Sequence, residues 1–284
     1  MPAPDNTKAS KAKREVAILF DGSLEGFLCI LHAYYYENVS PLIIQTEDNY
    51  QPTLDTEEYH ILSCSTIATR VQGGIIKKIS PQAWHTLSSA YLAAYVEDKY
   101  IAMFRYLLLG FRVGAIVDDH LYEDCVLRVH KFARQVGRET HLLTGFCRFE
   151  ETTNNIYYCP IEPTNYVLPR LAEHFSDRMM NQAWIIHDKK HGKAAVYNGE
   201  TYVIADVPKD AQVQHTDSEA QIQDLWITFF NSVAIKERVK PKLQRQLLPL
   251  YFRKSMTEFQ KKPTTRKTLK RKSLISLEQK DLPT

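Results

Sequence analysis

The sequence predicts an α+β fold with one folded domain over residues 15–260. Three observations lead to this prediction. The chain opens with an apolar run, a helical pattern and a second apolar run. Residues 61–136 then keep apolar side chains at helical spacing, which predicts a mainly helical section. Later the pattern turns to short antiparallel strands, with Asn198-Gly199 as a strong hairpin signal, before amphipathic helices end the domain.

The N-terminal elements are predicted to form a strand–helix–strand unit. Residues 16–20 are apolar strand formers, and Asp21 breaks the run. Residues 24–39 carry apolar side chains at helical spacing, and residues 41–45 form a second apolar run. Two strands joined by one helix favour a parallel pair.

The central section is predicted to be helical apart from the polar segment that precedes it. Ser80 and Pro81 suit the cap and the first position of a helix. The predicted elements are a loop over 46–60, a helix over 61–74, helical residues from 81 that end by Gly114, and a helix that starts at 117–120 and ends near Gly137.

The last third alternates short strands with two helical segments. The predicted elements are strands over 142–150 and 155–159 around a turn at 152–155, a helix over 169–180, strands over 184–187, 194–197 and 201–205, a helix over 222–239, and helix-forming residues over 242–259 interrupted at Pro249. The helix over 222–239 has the clearest apolar stripe, formed by Ile222, Leu225, Trp226, Phe229, Phe230 and Val233.

Composition fits a globular protein that is large enough to bury its own core. The chain has 284 residues, of which 44% are hydrophobic and 24% are charged. Basic residues concentrate at the two ends, in an arm over 1–14 and a tail over 261–284, and both are predicted to be disordered. The tail either contacts phosphates or only solvates the chain.

The sequence predicts a cytoplasmic protein with no membrane contact, no cofactor and no metal site. No uninterrupted run approaches the roughly 18 apolar residues of a membrane-spanning helix, and the basic start lacks the apolar region of a secretory signal. The five cysteines form no C-x-x-C pair, and their number is odd. We therefore expect reduced thiols rather than disulfides or a structural metal.

The segment 138–149 contains several ionisable side chains. His141 is a candidate general base, Glu139 a candidate to orient it, and Arg148 a candidate phosphate ligand. The alternative is that Glu139 and Arg148 form an ion pair and that His141 is a hydrogen-bonded histidine where a helix meets a strand.

Asp21 is a second catalytic candidate, because it follows a strand and precedes a helix. Capping of that helix needs the same residue types, and it is the competing interpretation. His187, Asp188 and His191 resemble a metal-binding pair with a carboxylate, but no third ligand has a motif spacing, and the sequence favours a solvated turn between two strands.

A basic and aromatic strip follows the helix over 222–239. Arg238, Arg245 and Tyr251 belong to it, and such residues bind phosphates and stack on bases in nucleic-acid-binding proteins. Lys270 and Arg271 in the tail extend the positive charge. The alternative is a basic helix end beside a packed aromatic pair.

Several phrases, in this order, resemble one bacterial family over residues 16–259. They are residues 19–28, 136–149, 160–163, 171–175 with Arg178, 184–188, 195–199, Glu237-Arg238 and 248–251. The family is labelled "probable DNA metabolism protein" and is a domain of unknown function.

The resemblance implies a role in DNA repair or modification beside a partner enzyme. Members are typically encoded next to a radical S-adenosylmethionine protein of DNA modification or repair, and some are fused to a uracil-DNA-glycosylase-like domain. By motif match the resemblance points to Asp21, Glu25, Glu139, His141, Arg148, Glu162 and Arg238. The chain departs from the family at Lys240, where Asn is expected, and at Phe252, where Trp is common.

Three functions follow as hypotheses. The first is an accessory protein that binds DNA and supports a radical S-adenosylmethionine enzyme. The second is an enzyme that acts on a damaged nucleotide, with His141 as base or Asp21 as key carboxylate, which requires that the two share a pocket. The third is an interaction scaffold that docks a partner through the helix over 222–239, which requires an exposed apolar face.

Overall fold

The computed structural model describes residues 13–52, 56–211, 213–233 and 240–260. The helices are α1 (Leu24–Tyr36), α2 (Ser65–Lys78), α3 (Pro81–Tyr91), α4 (Lys99–Val113), α5 (Asp124–Phe146), α6 (Leu168–Arg178), α7 (Asp217–Val233) and α8 (Pro241–Leu247). The strands are β1 (Arg14–Phe20), β2 (Val39–Thr46), β3 (Glu58–Ile61), β4 (Glu150–Glu151), β5 (Tyr157–Ile161), β6 (Trp184–Asp188), β7 (Lys193–Tyr197) and β8 (Tyr202–Asp206). The α+β prediction is therefore confirmed.

The first sheet is parallel and has the order β2-β1-β3. The last five residues of β1 are buried, because the central strand is covered on both faces. The predicted parallel strand pair is confirmed. The prediction of a loop over 46–60 was wrong for β3, whose four residues alternate polar and apolar and are too few to show a strand pattern in the sequence.

Helices α2 to α5 form the central section. Ser80 caps α3 as predicted, since its Oγ accepts the backbone N–H of Ala83 at 2.9 Å. Among the described residues, Lys99–Asp119 is the one helical stretch long and apolar enough to cross a membrane, although the sequence predicts none. Half of its apolar window is buried inside the fold, as in a core helix.

The end of α5 corrects two predictions. Gly137 does not end the helix, which continues to Phe146. The strand predicted over 142–150 is reduced to the two residues of β4. A glycine inside a helix costs only about 1 kcal/mol relative to alanine, and the buried side chain of Leu143 continues the apolar face past it.

The second sheet has the order β4-β5-β6-β7-β8. Its pairs are antiparallel, except that β5 and β6 run parallel because α6 connects them. The predicted hairpin joins β7 to β8. In its loop the Asn198 side chain accepts the N–H groups of Glu200 and Thr201, and Gly199 adopts a positive φ of 102°.

One hydrophobic cluster runs through the described chain from β1 to Phe252. The C-terminal elements lie at its edge. The described part of the predicted helix over 222–239 is α7, and residues 242–259 form α8 and two short 3₁₀ turns, Phe252–Ser255 and Thr257–Phe259. Pro249 separates α8 from these turns, as the sequence predicts.

Candidate functional site

Asp21 lies at the carboxyl edge of the first sheet. One carboxylate oxygen accepts the backbone N–H and the hydroxyl of Ser23, and the other accepts the hydroxyl of Ser63 at 2.6 Å. Burial raises the pKa of Asp21, but the hydrogen bonds from Ser63 and Ser23 outweigh it and leave that pKa below its ordinary value. Ser23 in turn accepts the N–H of Gly26 as the cap of α1. Capping and the tie to Ser63 account for the position of Asp21.

Glu139 is buried on α5 and holds a loop. Its two carboxylate oxygens accept three hydrogen bonds, from the backbone N–H of Thr164 at 2.6 Å, the backbone N–H of Asn165 at 2.7 Å and the side-chain amide of Asn165 at 2.6 Å. The Asn165 side chain also accepts the N–H of Ala94 at 2.9 Å. Glu139 therefore ties together two loops that are distant in sequence.

His141 does not join Glu139. Two residues on a helix differ by about 200° around the axis, so their side chains point to different sides. Glu139 is 5% exposed, whereas His141 is exposed to solvent. Because α5 continues through residue 141, His141 does not lie where a helix meets a strand either. The arrangement in which Glu139 orients a His141 base is not formed.

Lys99 stabilises the loop between α3 and α4, which Asn165 contacts at Ala94. Its buried ammonium donates to the carbonyls of Tyr91 at 2.6 Å and Ala93 at 2.5 Å, at the end of α3 where backbone acceptors are free. Burial lowers the pKa of Lys99 to about 8. The carbonyl of Leu92 also accepts the N–H of Tyr166. The loop between α3 and α4 is thus fixed at several points.

These two loops form one wall of an open cleft of about 520 Å³. Residues of α5 and of the segment after α8 supply the rest of the lining. The lining residues are Ala94, Val96, Gln135, Arg138, Glu139, Leu142, Thr164, Asn165, Pro249 and Tyr251. The cleft brings together Glu139 and Tyr251, which the sequence predicts for different roles.

Arg148 is fully engaged inside the protein. Its guanidinium forms a two-point ion pair with Glu258, at 2.6 Å and 3.2 Å, and also donates to the carbonyls of Gly145 and Cys147. The Glu258 side chain is only 2% exposed. The fork that would bind a phosphate is therefore occupied, and the partner of Arg148 is Glu258 rather than the Glu139 of the alternative interpretation.

This ion pair also anchors α7. The indole N–H of Trp226 donates to Glu258 at 3.2 Å, and the Arg148 guanidinium lies 5.5 Å from the centre of the Trp226 ring. Burial raises the pKa of Glu258, but its hydrogen bonds and the Arg148 charge outweigh this and leave that pKa below the ordinary value. At the start of α7, Glu219 accepts the backbone N–H of Glu151. Polar contacts hold the helix in place.

The apolar stripe of α7 faces solvent. Every member of the predicted stripe is at least about one-third exposed, and Leu225 reaches 70%. The described contacts between α7 and apolar side chains outside it include the Phe230–Phe259 ring pair at 5.9 Å. The exposed face that the scaffold hypothesis requires is present.

The segment after β6 contains a dyad whose geometry the sequence does not predict. Asp188 is fully buried and accepts His191 Nδ1 at 2.6 Å and the backbone N–H groups of Lys190 and His191 at 3.1 Å. The neighbouring His187 contacts the Tyr158 hydroxyl through Nδ1 at 2.8 Å instead. The two histidines face different partners.

No group of three or more His, Cys, Asp or Glu residues in the described ranges is placed to hold a metal ion.

Of the remaining predicted site residues, some are exposed and the others lie outside the described residues. Arg245 is exposed on α8, and Tyr251, which lines the cleft, is 39% exposed. Glu162 is exposed and pairs with Lys254, and Glu25 is exposed in the first turn of α1. Arg238, Lys270 and Arg271 lie outside the described residues, as does most of the arm and the whole tail. The five cysteines are all free thiols.

A family model for a domain of unknown function, DUF4130, matches residues 97–258. The match spans more than half of the chain.

The chain belongs to the DUF4130 family. The DUF4130 segment runs from α4 to the last 3₁₀ turn, so it contains Glu139, Arg148 and Tyr251 but not Asp21. No curated protein and no solved structure matches the chain.

Proposed function

We propose that this DUF4130 protein is a cytoplasmic accessory protein of DNA repair or modification that docks a partner enzyme through α7. The observation that carries the proposal is the solvent-facing stripe of six large apolar side chains on that helix. The resemblance described above supports the DNA context and a radical S-adenosylmethionine enzyme as the partner.

The chemistry of the stripe favours a protein over a nucleic acid as its occupant. The stripe contains three aromatic side chains and no charged ones, so it offers nothing to a phosphate backbone. Large aromatic residues supply much of the binding energy where protein interfaces bury them. The anchored Trp226 and the groove of about 240 Å³ beside it present a pre-formed surface to an apolar partner segment.

The test is titration of the purified chain with its radical S-adenosylmethionine partner, followed by calorimetry and by size-exclusion chromatography with light scattering. We expect a stable complex that Phe229→Asp weakens at least about tenfold, because a charge then enters an apolar interface. Leu127→Asp on α5 is the matched control, since Leu127 is 55% exposed and Phe229 is 56% exposed.

Two results would contradict the docking proposal. One is the absence of a complex, or a complex that Phe229→Asp leaves unchanged. The other is a dimer of the chain itself that Phe229→Asp dissociates, because the stripe would then be an interface between two copies.

We propose further that the basic and aromatic strip after α7, rather than Arg148, makes the DNA contact. Lys242 and Arg245 are exposed on α8, and Arg245 makes no ion pair with any described residue. Cations on such a surface bind phosphates in a salt-dependent way. Arg148→Glu is a poor probe of DNA binding, because it places a second carboxylate beside Glu258.

The test is binding to single- and double-stranded DNA over a salt series, for the full chain, the chain without residues 261–284, and Arg245→Glu. Salt-sensitive binding that survives truncation and falls with Arg245→Glu is expected. Binding lost with the tail alone would assign the contact to the tail. No binding at all would leave only the scaffold function.

A further inference from the structure

We infer that the cleft between the Glu139-anchored loops and Tyr251 binds the base and phosphate of a single nucleotide. This inference rests on the DNA contact of the proposed function and shares Tyr251 with the basic and aromatic strip, but the cleft is not formed by α7 or α8. It rests on three features of the cleft, namely an aromatic platform, an unpaired cation and walls that are already fixed.

The platform is the Tyr251 ring. It packs on Phe252 with ring centres 4.1 Å apart, and the buried Phe252 packs on Phe146 of α5 at 5.7 Å. Its partial exposure leaves ring surface open to the cleft. Apolar groups of Val96 and Leu142 line the same space. A flat aromatic surface in a cleft with apolar lining suits a planar base, because every base has a face that stacks.

The cation is Arg138. It lines the cleft, is exposed, and makes no ion pair with any described residue. Lys190 does not itself line the cleft, but its ammonium donates to the carbonyl of the lining residue Thr164 at 3.2 Å. The oxygens of the Glu139 carboxylate are held by three donors from Thr164 and Asn165, and none of the described contacts joins them to Arg138. The unpaired guanidinium of Arg138 matches a phosphate, because its planar fork can donate two hydrogen bonds to phosphate oxygens.

Polar groups for the edge of the base are also present. Gln135 lines the cleft and has no hydrogen-bond partner among the described residues, so its amide is free both to donate and to accept. The cleft volume lies within the roughly 300–1,000 Å³ of small-molecule sites. The network of Glu139, Asn165 and Ala94 fixes the wall before any ligand arrives, which reduces the entropy lost on binding.

The test uses two probes with the full chain. The first is the set of four deoxynucleoside 5′-monophosphates, and the second is a short single-stranded oligothymidylate. Binding is measured by calorimetry and by NMR shifts of the protein. Binding of both probes indicates a site for free nucleotides, whereas binding of the oligomer alone indicates a base presented by a strand.

The variants locate the site. Tyr251→Ala and Arg138→Gln are each expected to weaken binding at least about fivefold, because base stacking and phosphate pairing are lost. Tyr251→Phe keeps the ring and should bind as the wild type does. Arg134→Gln changes an exposed arginine one helical turn earlier that does not line the cleft, and it should also leave binding unchanged.

Two outcomes would overturn the inference. One is no saturable binding of either probe at millimolar concentration. The other is binding that Tyr251→Ala and Arg138→Gln do not weaken, which would place the contact elsewhere. Arg138 is exposed, so its variant tests the site even if Tyr251→Ala does not fold. Complex formation through α7 is measured separately and does not depend on either result.

Discussion

Helices α4 and α7 have similar apolar patterns and opposite environments. Ten of the fifteen residues of α4 are buried, and Met103, Tyr106 and Leu107 are completely inaccessible. On α7 the six side chains of the apolar stripe are exposed, and among its residues whose burial is described only Glu219 is buried. The same periodicity therefore covers a core helix in one region and an exposed helix in the other.

The difference comes from what packs against each helix. The core helix α4 contacts β2 and α5 and joins the main hydrophobic cluster. By contrast, α7 is held by Glu219, by Trp226 with the Arg148–Glu258 pair, and by one ring contact with Phe259. An amphipathic pattern thus indicates that one face of a helix favours burial. It does not indicate which part of the fold, or which partner, covers that face.

The largest expected effect is on the buried helix. Leu107→Ala should lower the free energy of unfolding by roughly 2–5 kcal/mol, because it removes buried methyl groups and leaves a cavity in a packed core. Urea denaturation measures the change. A loss below about 1 kcal/mol would show that α4 is not part of the cooperative core. The contrast between a buried α4 and an exposed α7 would then be lost.

A smaller effect is expected where α7 is anchored. Arg148→Ala should cost roughly 1–3 kcal/mol, because Glu258 then remains as a buried carboxylate without its cation. Hydrogen exchange should also show faster opening of α7. Arg148→Lys keeps the charge but not the two-point contact, and it should recover only part of the loss. Unchanged exchange in α7 would mean that the pair does not anchor the helix.

The anchor should weaken in acid. The pKa of Glu258 in the folded chain lies below its ordinary value of 4.5, so its ionised form stabilises the fold above about pH 4.5. This contribution disappears as the pH falls through the lower folded pKa. Wild type should exceed Glu258→Gln by about 1 kcal/mol in free energy of unfolding at pH 7. Denaturation at several pH values checks this, and a gap that stays constant into acid would contradict it.

The smallest effect is expected on the exposed stripe. Leu225→Ala should change the free energy of unfolding by no more than about 0.5 kcal/mol, since the side chain is 70% exposed. The same variant should weaken the complex with the partner enzyme. If instead it destabilised the chain as Leu107→Ala does, then α7 would be packed in solution, and the docking proposal would lose its basis.

Many elements of the fold could be predicted from local sequence patterns. Ser80 and Pro81 marked the start of α3, Asn198-Gly199 marked the hairpin, and the strand–helix–strand start predicted a parallel pair. These succeeded because capping, turns and periodicity depend on neighbouring residues. The loop predicted at β3 and the strand predicted after Gly137 failed. Short edge strands carry little pattern, and a glycine ends a helix only where packing does not continue it.

The chain by itself determined the α+β class, most of the helices and strands, and the apolar stripe of α7. Tertiary structure alone decided the partners of the ionisable side chains. Glu139 binds the loop at Thr164 and Asn165, 25 residues further along the chain, and Arg148 binds Glu258, 110 residues away. Local sequence cannot specify such pairs, because they depend on how distant elements pack. For the same reason, only the packed structure decides that α4 is buried while α7 is left exposed.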